Sequence, residues 1–168
     1  LTLLLIGDFL LDAAPIMSIP EDLLSSGKTI LSELLQRLSH KARVHLPFDD
    51  DKTSYDEANL RFTQYERPNY LVIVEPDCES DVVEVVKYAR QKDIPFTPRG
   101  GHHAVTSSMR HFQNGICINM RSLNQMRWDD KQQHVTAGGG ALTDEFVRFV
   151  HDLGMEVSEL HENPLLVT

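Results

Sequence analysis

Cysteine is close to absent from this chain. Cys78 sits in the turn Pro76-Asp77-Cys78-Glu79 and Cys117 in the apolar run Gly115-Ile116-Cys117-Ile118. They read as a loop residue and a core residue, imply no disulfide and leave the redox compartment undecided. A basic surplus is missing as well: 16 Lys and Arg stand against 25 Asp and Glu, a formal charge of −9. That argues against nucleic acid as the main partner, because a phosphate backbone needs a basic face. No stretch reads as membrane-spanning. The opening Leu1-Thr2-Leu3-Leu4-Leu5-Ile6 has no positive n-region and is followed by Asp8 and Asp12, which makes a poor signal peptide. It is expected to be a buried or partner-facing segment, or the remnant of a longer start. No Lys-Ser or Lys-Thr follows the glycines, which argues against nucleotide triphosphate hydrolysis.

What is present suits one core, since 41% of the 168 residues are hydrophobic. Residues 18–42 carry a helical pattern in two pieces. Ser18 caps the first, Pro20 sits early, Glu21 and Asp22 favour the positive end, and Gly27 offers a break. The second places Ile30, Leu31, Leu34, Leu35 and Leu38 on one face. Val44-His45-Leu46-Pro47 is a short strand candidate, residues 48–55 a polar loop containing Asp49-Asp50-Asp51, and residues 56–65 a helix.

The regular pattern begins at Pro68. Tyr70-Leu71-Val72-Ile73-Val74 is a β-branched apolar run of strand length. Ser80 or Asp77 can cap the next helix, whose apolar face holds Val82, Val83, Val85, Val86 and Ala89. Ile94-Pro95-Phe96-Thr97 returns as a strand, so strand, helix and strand form a βαβ unit. Residues 116–120 are a further strand, with a turn at Arg121-Ser122-Leu123-Asn124. His134-Val135-Thr136-Ala137 is another, running into Gly138-Gly139-Gly140 and a helix over 142–153 that buries Phe146, Phe149 and Val150.

The chemistry concentrates at Pro98-Arg99-Gly100-Gly101-His102-His103. Adjacent glycines permit positive φ and let a ligand approach the main chain, consecutive N–H groups make a concave anion site, and Arg99 adds a permanent charge. A tight turn with no ligand needs the same glycines. Thr106, Ser107 and Ser108 add hydroxyls that suit phosphate or ribose oxygens and suit an ordinary turn equally well. Gly138 to Gly140 is a second place for close backbone approach, although Asp144 and Glu145 at the following helix start would repel a phosphate.

Arg99 to His103 resembles the Arg-x-Gly-Gly-His loop of the FAD-linked oxidoreductases with a PCMH-type FAD-binding domain, the berberine-bridge-enzyme-like and vanillyl-alcohol-oxidase-like group. Gln113-Asn114-Gly115-Ile116 and Gly138 to Gly140 follow in that family's order, and Tyr55 and Asn59 match a segment before its first core strand. The resemblance covers residues 68–157. It implies an α+β fold: a PCMH-type domain, with its N-terminal βαβ subdomain and part of the second, over residues 67–168. Residues 1–66 would form an N-terminal helical extension. After Val157 the likeness stops, and a truncated gene model or transcript is expected.

The family implies FAD, with its pyrophosphate wrapped by the loop and, in many members, a histidine joined to the flavin 8α-methyl. Spacing from Pro95 and from Gln113 puts the linked position at His103; a shifted register would make it His102, which stands where the family usually has glycine. The implied cofactor-binding residues are Arg99, Gly100, Gly101, His102, His103, Ser107, Gly138 and Gly139. The implied function is hydride transfer from an alcohol, amine or C–H group of a small-molecule substrate to the flavin, with no catalytic base locatable in this chain. The alternatives are a noncatalytic FAD-binding or partner-completed fragment, and a metal site at His102, His103 and His111. The metal reading lacks a helical H-x-x-x-H spacing and a neighbouring carboxylate.

Overall fold

The computed structural model describes residues 21–48, 52–61, 68–101, 109–110, 112–131 and 133–157. The elements are α1 (Glu21–Leu35), β1 (Arg43–His45), α2 (Lys52–Ala58), β2 (Asn69–Glu75), α3 (Glu79–Gln91), β3 (Phe96–Arg99), β4 (Gln113–Asn119), a 3-10 turn (Met120–Ser122), β5 (Met126–Asp129), β6 (His134–Ala137) and α4 (Thr143–Asp152). The main sheet runs β1-β2-β4-β3. Strands β2, β4 and β3 are parallel, and β1 is antiparallel at the β2 edge. The connection from β2 through α3 to β3 therefore steps over the position that β4 fills later.

Burial explains the strand pattern. Five consecutive residues of β2, Tyr70 to Val74, are buried, as expected when both faces of a parallel sheet are covered. Side-chain alternation divides them from Val72 onward, while Leu71, beside the register irregularity between Tyr70 and Val72, joins the larger core. Val72, Val74, Ile116 and Ile118 face a core shared with Ile30 and Leu34 of α1 and Val85, Tyr88 and Ala89 of α3. Ile73 and Cys117 belong to a smaller core with Tyr55 and Ala58 of α2.

Several local expectations change. Gly27 does not break α1: it is buried inside the helix, where a Cβ would meet the Phe48 ring at 2.3 Å. Leu35 and Val83 point to solvent, 55% and 48% exposed, because each lies one step off the buried stripe. Helix α2 starts at Lys52, earlier than residue 56. Strand β5 arises after the leucine turn and pairs with β6 as a separate two-stranded sheet. Phe146 and Phe149 are half-buried, and only Val150 of α4 is fully buried. The proposed cap at Ser18 lies outside the described residues.

The α3 cap is neither Ser80 nor Asp77. Cys78 occupies the N-cap, and Asp81 at N3 takes the Asp77 N–H at 2.9 Å and the Cys78 N–H at 3.3 Å. The same carboxylate accepts the Ser39 N–H at 2.7 Å and its hydroxyl at 2.8 Å. Asp81 thus ties the chain after α1 to the start of α3. Burial pushes its carboxyl up, and the bonds from Ser39, Asp77 and Cys78 outweigh that, leaving it below the ordinary 3.8.

A carboxyl lowered in the folded state contributes stability that is complete above its unfolded value and disappears as pH falls through the folded one. Unfolding midpoints in urea are expected to fall below about pH 4 for this reason. Asp81→Asn should flatten that fall and cost roughly 2 kcal/mol at neutral pH, since one amide cannot accept four donors. An unchanged acid limb would remove Asp81 from this role.

Candidate cofactor site

The parallel strands end side by side, and the carboxyl edge of such a sheet is where an open α/β fold offers a ligand room. Arg99 pairs with Asn119 across β3 and β4. Asn119 donates from Nδ2 to Glu75 Oε1 at 2.8 Å and accepts the Arg121 N–H at 3.4 Å. Its bond to Glu75 joins the end of β2 to the 3-10 turn. Arg121 in turn donates from Nη1 to the Gly140 carbonyl at 2.8 Å and pairs through Nη2 with Glu145. The second Glu145 oxygen accepts the Leu142 N–H at 2.9 Å. This polar chain fixes the turn before α4 against the ends of β2 and β4.

Glu75 also meets Arg43 at 2.6 Å and His45 Nε2 at 3.3 Å. The nearby His45 ring holds its carboxyl below the ordinary range, with burial opposing and Arg43 assisting. Glu145 is lowered first by the Leu142 N–H and then by Arg121. Asp144 pairs with Arg148 at 3.0 Å. The two acids expected to repel a phosphate at α4 are therefore each answered by a cation or a cap.

The glycines separate into two kinds. A Cβ on Gly138 would stand 2.1 Å from the Leu123 carbonyl oxygen, and one on Gly140 would stand 1.9 Å from that of Met120. Their N–H groups bond to Gln125 O at 2.8 Å and Leu123 O at 2.9 Å. Both are glycine because the chain itself fills the space. Among the described residues, Gly139, between them, would bring its Cβ only to Met120 Cε at 3.6 Å, and Gly100 would bring its own to the Gly139 carbonyl oxygen at 3.4 Å. The Arg99 loop and the glycine triplet thus converge at two residues whose packing among the described residues does not require glycine. None of these four has a left-handed φ; their use is close approach.

Arg99 sits differently from the expected surface cation. Alternation along β3 sends its side chain to the α2 face, where it is 6% exposed and donates through Nη2 to the Ala58 carbonyl. Its Nε and Nη1 have no hydrogen-bond partner among the described residues. Gly101 is half-buried at the end of the described loop. His102, His103 and Ser107 lie outside the described residues, as do Thr106, Ser108 and His111. Among the described residues no cluster of metal-ligating side chains occurs.

Burial pushes the Cys117 thiol up to about 11 and the Tyr70 phenol to about 12, so neither is a reactive group at neutral pH. Two surface grooves of about 440 and 450 Å³ lie at the opposite, amino end of β3, beside Lys92 and Ile94 and beside Arg90 and Pro95. They are open depressions remote from the glycines. The sequence reading missed Asn119, Arg121 and Asp81. Only Asp81 carries a signal, an acid at the N3 position of a helix.

The family described as "FAD binding domain" matches residues 70–161, more than half of the chain. The chain belongs to that family. It is 72% identical over 137 residues to the FAD-linked oxidoreductase alt4 of Alternaria solani, covering 82% of this chain and 28% of that protein. The fold is similar to that of BBE-like 1 of Physcomitrella patens, with a TM-score of 0.60 at 22% identity over 73% of this chain and 26% of that one. It is also similar to a glucooligosaccharide oxidase of Acremonium strictum with 6-S-cysteinyl, 8α-N1-histidyl FAD, at a TM-score of 0.63 and 17% identity over 74% of this chain and 25% of that one. These likenesses place the α+β fold among FAD-linked oxidoreductases with a PCMH-type FAD-binding domain, and the family's cofactor is FAD. The chain spans about a quarter of the length of the proteins it matches.

Among the described residues no helix is long and apolar enough to cross a membrane.

Proposed function

We propose that this chain contributes the diphosphate-holding part of an FAD-dependent oxidoreductase acting on an alcohol, amine or C–H group of a small molecule. The observation that carries the reading is the convergence of Gly100 on Gly139, with neither Cβ position blocked by the described residues. Main-chain N–H groups of Gly100, Gly101 and Gly139 suit diphosphate oxygens, and the absence of a Cβ lets those oxygens approach. Gly138 positions Gly139 by seating the turn on Leu123. Arg99 serves as a positive charge beneath the loop rather than at its surface, and a buried cation favours an anion nearby. Ser107 and His102 follow in the same loop and are assigned to the cofactor with it.

FAD, when bound, supplies the two-electron acceptor for hydride. His103 is assigned as the residue that joins the flavin 8α-methyl, on its place in the loop and on the histidyl FAD of the glucooligosaccharide oxidase neighbour.

The absorption spectrum of the purified chain at about 450 nm, before and after acid precipitation, tests both steps. Colour that stays with the precipitate, and is released to the supernatant in His103→Ala, supports the linkage. Colour released from the unaltered chain keeps FAD and removes the histidyl bond. A colourless chain that takes up no added FAD contradicts the assignment.

A further inference from the structure

Arg99 is the last residue of β3, and Gly100 follows it directly. Its backbone is fixed by pairing with Asn119 and its guanidinium by the Ala58 carbonyl, 41 residues earlier in sequence. Ala58 ends α2, a helix of seven residues, too short to persist by itself. Two side chains hold α2 to the sheet: Tyr55, which is 5% exposed and donates its hydroxyl to the Tyr70 carbonyl at 2.7 Å, and Ser54, whose hydroxyl meets His45 Nδ1 of β1 at 2.5 Å. Ala58 and Tyr55 also share the small core with Ile73 and Cys117. A continuous path therefore runs from Tyr70 through Tyr55 and α2 to Arg99 and the glycine loop. Helix α2 lies wholly before residue 70, where the family match begins.

We propose that α2 is a working part of the cofactor site, with Tyr55 and Arg99 as positioning residues that set the conformation of Gly100 and Gly101. Tyr55 acts on the loop through α2 and Arg99. The side-chain face of Arg99 and the main-chain face of Gly100 are then used together. One is anchored beneath the sheet, and the other is left open at its edge.

The test uses the whole chain with Tyr55→Phe and Arg99→Lys, singly and combined. Amide hydrogen exchange is first followed without FAD, at Gly100 and Gly101 and at Val72 and Ile116 as core controls. Tyr55→Phe removes one hydroxyl and keeps the ring. It is expected to speed exchange at the two glycines by about 3- to 10-fold, the effect of one lost hydrogen bond, and to leave Val72 and Ile116 unchanged. Arg99→Lys should do the same, and the double variant should be no faster than the larger single effect, because both act on one path. Unchanged glycine amides in Tyr55→Phe would overturn the proposal. So would effects that multiply in the double variant, or equal acceleration at Val72 and Ile116, which marks global destabilisation instead.

The second readout, FAD dissociation constants from flavin fluorescence, rests on the cofactor reading above. The same 3- to 10-fold weakening is expected there. If the unaltered chain binds no FAD, the cofactor reading falls while the exchange data still decide whether α2 positions the loop.

Discussion

Gly140→Ala is expected to cost the folded chain roughly 3 kcal/mol, read as a fall in the urea unfolding midpoint. The alanine Cβ would stand 1.9 Å from the Met120 carbonyl oxygen and 2.6 Å from its carbon. Neither atom belongs to a side chain that can rotate away, so the 3-10 turn or the turn before α4 must shift. A shift there strains the Arg121 bond to Gly140 and its pairing with Glu145. Gly138→Ala should behave alike, its Cβ falling 2.1 Å from the Leu123 carbonyl oxygen. The φ of neither residue is left-handed, so the loss comes from occupied space and not from backbone strain. An unfolding midpoint unchanged in both variants would show that the two loops do not pack as described.

Gly139→Ala should do the reverse, keeping the fold and losing the cofactor. Among the described residues its Cβ meets only Met120 Cε, at 3.6 Å. Alanine restricts the unfolded chain more than glycine, so stability should hold or rise by up to about 1 kcal/mol. The methyl, however, projects where a diphosphate oxygen would approach the main chain, and the FAD dissociation constant is expected to rise by roughly 10- to 100-fold. Gly100→Ala should lower affinity similarly, because its Cβ, 3.4 Å from the Gly139 carbonyl oxygen, would project where the two loops meet. Affinity lost without a loss of stability separates this reading from a purely structural turn, for which stability would fall and affinity would follow it. Thermal unfolding without FAD and a fluorescence titration with it give the two numbers. FAD affinity unchanged in both alanine variants would remove these glycines from the site.

The legible parts of this fold were those where local pattern and tertiary demand agree. The Tyr70 to Val74 run is apolar and β-branched because both faces of β2 are buried, and the α3 and α4 patterns reflect one packed face each. Gly27 was misleading: glycine usually weakens a helix, yet here it admits the Phe48 ring, a contact no local pattern encodes. Strand β5 was hidden because Met126-Arg127-Trp128-Asp129 is only half-buried and pairs with a single partner strand.

At the site, the glycines could be found by composition, but their division could not. Which of Gly138, Gly139 and Gly140 is filled from behind depends on Met120 and Leu123, which arrive from another loop. The direction of Arg99 was accessible in principle. A residue paired within a strand projects to one face, and Thr97 and Arg99 share a face with Cys117 by register. Reading Arg99 as part of a loop concealed this.

The central claim is that Gly100, Gly101 and Gly139 together hold the cofactor through their main chains. Backbone amide resonances of the ¹⁵N-labelled chain during FAD titration test it most directly. The account predicts that these three amides move together and saturate with one dissociation constant, while the amides of Gly154 and Lys92, outside the two glycine loops, stay in place. Shifts at Lys92 and Ile94, beside the grooves at the amino end of β3, with Gly100 and Gly139 unmoved, would contradict it.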